Sequence, residues 1–168
     1  MKKLLGTAGA IALAITATPA LATGPNKNST ATAAVVKPLT LTWVRDLNLG
    51  TIILSGAGVW SGANVGITKA GVFSCANANT TCSGATQTAE YKITGTNNQV
   101  VTINAPNVTL TEPTSGATLL MTVDSPGTVN LSNSGNAGLI FDLGGQITVA
   151  SNTQDGTYTG TFNVTVNY

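Results

Sequence analysis

The sequence has no histidine, two cysteines and little charge: Asp, Glu, Lys and Arg together make up 8% of its 168 residues. Histidine is the one side chain whose unperturbed pKa lies near neutrality, so its absence excludes Ser-His-Asp and Cys-His nucleophiles and histidine-ligated metal sites. The acidic residues show no spacing that singles out a catalytic pair, and neither a G-x-S-x-G nor a D-T-G motif occurs. We therefore expect a non-catalytic protein with no cofactor and no metal site.

Charge is also scattered along the chain. Lys2 and Lys3 belong to the N-terminal leader described below, so the remainder carries five basic and six acidic residues. This near-neutral balance offers no basic stripe for a phosphate backbone, and we expect no nucleic-acid partner. Thr, Asn, Ser and Gly supply the polarity instead. A neutral polar surface repels copies of itself only weakly, which suits a protein that packs against other subunits.

The only long apolar run lies at the N-terminus. Lys2 and Lys3 precede an apolar stretch from Leu4 to Ala17, and Ala20-Leu21-Ala22 has the small-x-small pattern of a signal-peptidase site. A membrane anchor is the alternative, but a spanning helix needs about 20 apolar residues. We predict a cleaved signal peptide over residues 1–22, export to the periplasm, cell surface or medium, and no spanning segment in the mature chain.

The two cysteines, Cys75 and Cys82, lie in the exported part and flank a polar, turn-forming stretch. Disulfides persist in exported proteins, so a bridge that closes this one loop is the preferred interpretation. Free or intermolecular thiols remain the alternative. A metal site would need further ligands that the composition does not supply.

The rest of the chain divides into short runs rich in Val, Ile, Thr and Tyr, separated by Gly, Asn, Pro and Ser. None of these runs has a helical period, and turns recur every 8–12 residues or so, as in β-sandwiches. We predict an all-β, antiparallel, immunoglobulin-like sandwich in one domain, residues 30–168, after a flexible polar stretch, residues 23–29. The first predicted strand is Thr30–Val36. The pairs Gly144-Gly145 and Gly56-x-Gly58 are interpreted as turn glycines.

The clearest alternation lies at the C-terminus, where Thr157–Tyr168 reads as one 12-residue strand. Such a strand alternates apolar and polar faces with a period of two. We expect it to run the length of a sheet and to pair on both sides. The residues predicted to enter the core or the strand pairing are Tyr158, Phe162, Val164, Val166 and Tyr168.

Five stretches in order resemble the secreted bacterial family of the domain of unknown function 4402, and together they cover nearly the whole mature chain. The residues singled out as the family motif are Leu47, Leu49, Gly50, Gly144, Gly145, Gly156 and Gly160. The stretches are Pro38-Leu39-Thr40-Leu41-Thr42, Leu47-x-Leu49-Gly50-Thr51-Ile52, Ala89-x-Tyr91-x-Ile93-Thr94-Gly95, Gly144-Gly145-x-Ile147-Thr148-Val149 and Gly156-x-Tyr158-x-Gly160-Thr161-Phe162-x-Val164-Thr165-Val166-Asn167-Tyr168.

The layout of that family is similar to spore-coat-U-like and other chaperone–usher pilin subunits of Gram-negative bacteria. The resemblance implies a structural or adhesive fimbrial subunit with an incomplete sandwich, whose partners are a periplasmic chaperone and copies of itself. An N-terminal donor strand would present Ala31, Ala33 and Val35, which are small and bury little area. A complete sandwich with Thr30–Val36 as its own first strand therefore stays open.

Two other function classes stay open. A small outer-membrane barrel also ends on an aromatic after alternating apolar residues, but most strands here are short and the 5% aromatic content is low for two girdles. A secreted glycan-binding module would use Trp43, Trp60 or Tyr91, and Trp60, set among glycines, is the aromatic expected to be exposed. Asp142 and Asp155 lack the spacing of a calcium loop and are interpreted as solvated turn residues.

Overall fold

The protein is described here by a computed structural model that covers residues 24–56, 58–132 and 137–168. The predicted signal peptide, residues 1–22, lies outside the described residues. Residues 24–38 are exposed and form no strand, so the prediction of a first strand at Thr30–Val36 is wrong. The compact unit spans Val35–Tyr168, and its first strand begins at Thr40.

All regular structure in the described part of the chain is β-strand, and every pairing is antiparallel, which confirms the predicted fold class. No helix among these residues is long and apolar enough to cross a membrane. The strands are β1 (Thr40–Arg45), β2 (Thr51–Leu54), β3 (Ala63–Ile67), β4 (Phe73–Ser74), β5 (Thr80–Ser83), β6 (Ala89–Thr94), β7 (Val100–Asn104), β8 (Val108–Thr111), β9 (Thr118–Asp124), β10 (Thr128–Asn130), β11 (Leu139–Val149) and β12 (Thr165–Asn167).

Strand β11 organises the larger sheet. Its first half pairs with β6, which pairs in turn with the edge strand β1. Its second half lies between β3 and β9, and these carry the edge strands β4 and β8. Two smaller sheets complete the sandwich: β10-β7-β12 and the ribbon β2-β5.

The glycine pair Gly144-Gly145 lies inside β11 and not in a turn, contrary to the sequence interpretation. A Cβ on Gly144 would meet the backbone of Ile67 and Thr68, and one on Gly145 would lie 2.8 Å from the sulfur of Met121. Glycine in a strand interior marks such close approaches. The pair therefore lets neighbouring strands approach where β11 changes partners from β6 to β3 and β9.

The buried apolar residues form two clusters along β11. The first core cluster lies between the first half of β11 and the sheet β10-β7-β12, and the second core cluster lies on the second half of β11. Phe162, Leu47 and Val123 pack against both. The first core cluster comprises Ala89, Ile93, Val101, Ile103, Leu131, Phe141 and Leu143, and the second comprises Ala63, Val65, Met121, Ile147 and Val149.

Candidate functional site

A groove of about 780 Å³ opens over the second core cluster. One wall, here called the β2 wall, is the segment Asp46–Leu54, and the other, the C-terminal wall, consists of residues 153–160 and Phe162. Between them the apolar floor is contributed by β8, β9 and β11. The floor residues are Leu110, Leu119, Met121, Ile147 and Val149.

The β2 wall owes its shape to Gly50, which has φ +72° and whose Cβ, if present, would lie 2.6 Å from the carbonyl oxygen of Ser83. The side chain of Asn48 accepts a hydrogen bond from the Gly50 amide at 2.8 Å and closes the turn. Glycine reaches this left-handed conformation without steric penalty. The alternation of exposed and half-buried residues shifts by one position at this turn. The half-buried residues on both sides of the shift line the groove, namely Leu47, Leu49, Ile52 and Leu54.

The C-terminal wall pairs differently from the prediction of one 12-residue strand. Only Thr165–Asn167 forms a strand, and it pairs with β7 alone. At the other end, Thr159 makes an isolated bridge with Thr111 of β8, with both amide-to-carbonyl hydrogen bonds at 2.8 and 3.0 Å. The predicted pairing on both sides is therefore wrong. Apolar alternation is nevertheless present, because Phe162, Val164 and Val166 are half-buried against the first core cluster.

Both walls have an unpaired edge. Strand β2 pairs with β5 on one side, and no strand in the described part of the chain pairs with its other side. Residues 160–164 have no strand partner among those residues, and β12 has β7 as its one partner there. Backbone amides and carbonyls on an open edge form a template for another strand. The groove thus lies between β2, which has one unpaired edge, and a C-terminal segment whose one strand contact is the Thr159 bridge, over an apolar floor.

The predicted disulfide is present and supports the β2 wall. Cys75, next to β4, and Cys82, in β5, form the bridge with their Cα atoms 6.2 Å apart. Cys82 is the register partner of Ile52 in β2, and both cysteines pack against the second core cluster. The bridge therefore ties the β2-β5 ribbon to the edge of the larger sheet. In the chain-entropy view a loop of this length contributes about 2.5 kcal/mol.

Glu112 closes the turn between β8 and β9 and contacts the C-terminal wall at Gly156. Its carboxylate accepts hydrogen bonds from the Ser115 amide, the Ser115 hydroxyl and the Thr114 amide, at 2.5, 2.7 and 3.1 Å. These bonds, those from Ser115 first, lower the pKa of Glu112 to about 2. Gly156, with φ +142°, packs against the Glu112 side chain, where a Cβ would clash. This predicted motif glycine therefore positions the wall against a buried carboxylate.

The other motif glycine of this wall, Gly160, lies against β8. A Cβ there would come within 2.8 Å of the Leu110 side chain and 2.9 Å of the Thr109 carbonyl oxygen. Tyr158, two residues earlier, lines the groove, and its hydroxyl donates to the carbonyl of Gln154 at 2.7 Å. Because Gly160 has no side chain, the chain can run close enough to β8 for the bridge at Thr159.

The C-terminal residue, Tyr168, is held in place by hydrogen bonds of its hydroxyl group. Its hydroxyl donates to the carbonyl of Lys37 at 2.6 Å and accepts from the amide of Thr96 at 2.8 Å. The Lys37 amide in turn donates to the Thr96 hydroxyl at 2.6 Å. A Cβ on Gly95 would collide with the Tyr168 hydroxyl, so glycine leaves room for the ring. Tyr168 thus fastens the point where the N-terminal segment leaves the domain to the Gly95-Thr96 turn.

Charged side chains in the larger sheet have partners. Arg45 contacts Glu90 at 2.9 Å and Asp142 at 3.1 Å. Lys69 lies 2.7 Å from Asp124, and its hydrogen bonds lower the pKa of that carboxyl group. All three pairs are partly exposed, so each contributes about 0.2–1 kcal/mol.

The groove itself carries two carboxylates and no basic residue among its described lining. Asp46 accepts a hydrogen bond from the Trp43 indole at 3.0 Å, and Asp155 accepts one from Gln154 at 3.0 Å. Neither carboxylate forms an ion pair with a described residue. The groove is therefore apolar at its floor and negative at its walls.

The aromatic expected at the surface is not the one found there. Trp60 is half-buried on the second core cluster, and its indole donates to the carbonyl of Ser55. Trp43 on the edge strand β1 is 57% exposed. It lies in register with Tyr91, which stacks on Phe141 with ring centroids 5.7 Å apart. Burial, then the charge of Asp46, raises the pKa of Tyr91.

The groove presents backbone groups and apolar surface for binding. In residues 24–56, 58–132 and 137–168, no group of three or more His, Cys, Asp and Glu side chains lies close enough together to hold a metal ion. Sequence reasoning anticipated the wall residues Leu47, Leu49 and Tyr158 but not the floor residues of β8 and β9. Their alternation marks them as apolar faces without indicating that part of this surface is left uncovered.

Comparisons with known proteins give one result. A family model described as domain of unknown function (DUF4402) matches residues 39–168, which includes both walls and the floor of the groove. No curated protein and no solved structure matches the chain significantly.

Proposed function

Because the chain belongs to the family of the domain of unknown function DUF4402, whose description assigns no activity, we propose a function from the groove. The protein is a secreted, non-catalytic structural or adhesive subunit of the cell envelope that takes up an extended segment of another polypeptide as its missing strand. The observation that carries this proposal is an apolar floor between the unpaired edge of β2 and a C-terminal segment with little strand pairing.

The physics of strand addition supports this assignment. An extended segment between two open edges gains main-chain hydrogen bonds on both sides, and its alternate side chains enter the space above the floor. Met121, Ile147 and Val149 of this floor are each 6% exposed or less, while Leu110 and Leu119 beside them are half-buried. Covering the half-buried pair adds about 25 cal/mol per Å² of apolar area removed from water.

Export is supported by the leader pattern of residues 1–22 and by the disulfide, because such bonds persist in oxidising compartments. A groove with open edges is an aggregation hazard during export. A periplasmic chaperone that fills the groove transiently, and copies of the chain or other subunits that fill it later, are the partners this function requires. In that form the protein is a fimbrial, pilin-like subunit.

Two neighbouring isoleucines of β2 allow a matched test. Ile52 lines the groove, whereas Ile53 is 53% exposed and faces away from it. We expect Ile52→Glu to reduce assembly or chaperone capture at least tenfold, because a carboxylate would be buried by the inserted strand. Ile53→Glu should behave as wild type. The measurement is size-exclusion chromatography with light scattering on the exported protein, with and without a co-expressed chaperone.

Near-ultraviolet circular dichroism of both variants controls for folding. A wild-type chain that stays monomeric and captures no chaperone contradicts the proposal, as does an Ile52→Glu variant that assembles normally.

A further inference from the structure

Independently of strand uptake, we infer that Trp43 and three polar side chains linked to it form a binding site for one unit of a neutral saccharide. The site lies on β1, at the edge of the larger sheet, and Trp43 is not among the residues that line the groove. The exposed indole is the stacking platform, and the polar side chains supply hydrogen bonds to sugar hydroxyls. These polar residues are Asp46, Asn48 and Gln87.

The indole of Trp43 is exposed and yet held in one orientation. It is 57% exposed, and its Nε1 donates to the carboxylate of Asp46 at 3.0 Å. An indole has a large apolar face and a single polar group. Because that polar group is already bonded within the domain, the part of the side chain left for a ligand is the apolar face.

Trp43 is the outermost of three aromatic side chains that lie in register across neighbouring strands. Its register partner is Tyr91 of β6, whose partner on the other side is Phe141 of β11. The rings of Tyr91 and Phe141 are stacked, and the first is half-buried and the second buried. Core packing therefore accounts for the two inner rings, whereas the outer ring presents most of its surface to solvent.

The polar side chains are linked to Trp43 and to each other, and each has one end fixed. Oδ1 of Asp46 accepts from the Trp43 indole, and Nε2 of Gln87 donates to the Asp46 carbonyl at 3.0 Å. The backbones of Gln87 and Asn48 are joined by two hydrogen bonds of 2.9 Å. Oδ1 of Asn48 accepts from the Gly50 amide at 2.8 Å.

The other end of each polar side chain is available to a ligand. Two acceptors are left over, Oδ2 of Asp46 and Oε1 of Gln87, together with one donor group, Nδ2 of Asn48. Within the described part of the chain no hydrogen bond occupies these three atoms. All three residues are exposed. Side chains that are already fixed at one end lose less conformational freedom when a ligand binds.

This set of groups fits a neutral sugar better than a charged ligand. A pyranose ring has an apolar face of C–H groups that packs on an aromatic ring, and its hydroxyls both donate and accept. A cation also packs on an indole, but it would use the Asp46 carboxylate and neither amide. An acidic sugar would be repelled by Asp46, and Arg45 is already paired with Glu90 and Asp142.

Indole NMR signals of the full exported chain test the site. The chain contains two tryptophans, so the spectrum shows two indole N–H signals, and Trp43→Phe identifies one of them. The probes are cellotetraose, maltotetraose, mannotetraose and galactotetraose, which differ in linkage and in the configuration of their hydroxyls.

We expect at least one tetraose, added to about 20 mM, to shift the Trp43 indole and the Gln87 side-chain amide with a Kd on the order of 1 mM, an ordinary ligand efficiency for one bound hexose unit. The indole of Trp60, half-buried on the second core cluster, should stay in place. If no tetraose moves the Trp43 signal, the inference is wrong.

Substitutions separate the platform from its neighbours. Trp43→Ala should weaken binding about tenfold, because stacking and the area it covers are lost. Gln87→Ala and Asp46→Asn should each weaken it about 2- to 10-fold, the range expected for one hydrogen bond. Val44→Ala is the matched control, since Val44 is the next residue of β1 and is also exposed, and it should bind like wild type. Unchanged binding by Trp43→Ala would contradict the assignment.

Tetramethylammonium chloride is the competing probe for a cation site. It should shift the Trp43 indole less than the best tetraose does at equal concentration. For the tetraose, about 0.5 M NaCl should leave the affinity unchanged, because the ligand carries no charge. A stronger response to tetramethylammonium, or a loss of tetraose affinity in salt, would overturn the saccharide assignment.

The saccharide site and strand uptake can fail separately. Trp43→Ala should assemble like wild type, and Ile52→Glu should bind the tetraose like wild type. If Trp43→Ala blocks assembly and no tetraose binds the wild type, Trp43 belongs to a protein interface and the saccharide inference is wrong. If the tetraose binds while the wild type neither assembles nor captures a chaperone, only the proposed strand uptake is wrong.

Discussion

The two core clusters occupy the same central strand and differ in how they are covered. Over the first half of β11, the sheet β10-β7-β12 closes the cluster, and Ile93, Leu131 and Leu143 have no exposed surface. Over the second half, the β2-β5 ribbon and the C-terminal segment leave a gap above Leu110 and Leu119, which are half-buried. One domain therefore contains a closed core cluster and a partly open core cluster along one continuous strand.

The difference lies in strand pairing and not in side-chain composition. Both clusters contain Ala, Val and Ile, with Leu and Phe added in the first and Met in the second. The C-terminal segment pairs with β7 at one end and touches β8 by a single bridge at the other, so its edge is open where the second cluster lies. The second core cluster is therefore less fully covered than the first, although its floor is also apolar.

The largest expected effect is a difference in the loss of stability between one truncation in the first core cluster and one in the groove floor. Leu143→Ala removes a fully buried side chain and should lower the free energy of unfolding by about 3 kcal/mol, because a closed core leaves a cavity. Leu110→Ala, in the groove floor, should cost about 1 kcal/mol, since that side chain is already half in water. Urea unfolding of both variants measures the difference. Equal losses would mean that the groove is closed in solution.

A smaller effect should appear on removing the bridge. The double variant Cys75→Ser and Cys82→Ser should lose up to about 2.5 kcal/mol. Because the bridge joins β5 to the edge near β4, amide hydrogen exchange should rise in β2 and β5 and stay unchanged in β7 and β10. Wild-type protein treated with dithiothreitol is the control and should match the variant. Uniform loss of protection across both clusters would contradict this local role.

The smallest expected effect is a dependence of thermal stability on pH. Glu112 has a folded pKa of about 2 against an ordinary value of 4.5, so its stabilisation is present above pH 4.5 and is lost as the pH falls towards 2. The Tm difference between wild type and Glu112→Gln should therefore be largest above pH 5 and shrink by pH 2. Ser115→Ala, which removes the hydroxyl donor, should raise the Glu112 pKa. A Tm difference that does not vary with pH would exclude the hydrogen-bonded carboxylate.

Local patterns predicted the fold class and most strands because β-branched runs, alternation and turn residues are local properties. Local patterns failed where long-range strand pairing determines whether a segment forms a strand. Thr80–Ser83 forms β5 despite its polar neighbours, because β2 supplies a partner edge. Thr30–Val36 has the composition of a strand and stays unpaired in its own domain. Gly144-Gly145 has the composition of a turn and is held in a strand by β3 and β9.

The sequence singled out residues of both walls of the candidate site. It did not show that these residues enclose a groove. Leu49, Gly50 and Gly160 stood out as a motif, and the structure explains the glycines by close contacts with Ser83 and β8. An open edge is a relation between segments far apart in sequence, and no local pattern encodes it. The same holds for Trp43, whose exposure follows from its place on the edge strand β1.

The hydrogen bonds of Tyr168 have a mechanical consequence whenever the N-terminal segment is pulled. Tension along the N-terminal segment reaches the domain at Lys37, whose carbonyl is bonded to the Tyr168 hydroxyl. The load is therefore shared at once between β1 and the C-terminal strand, which are held laterally by β6 and β7. Force applied along strands must shear several hydrogen bonds together, so the anchor at Lys37 protects β1 from being peeled away one bond at a time.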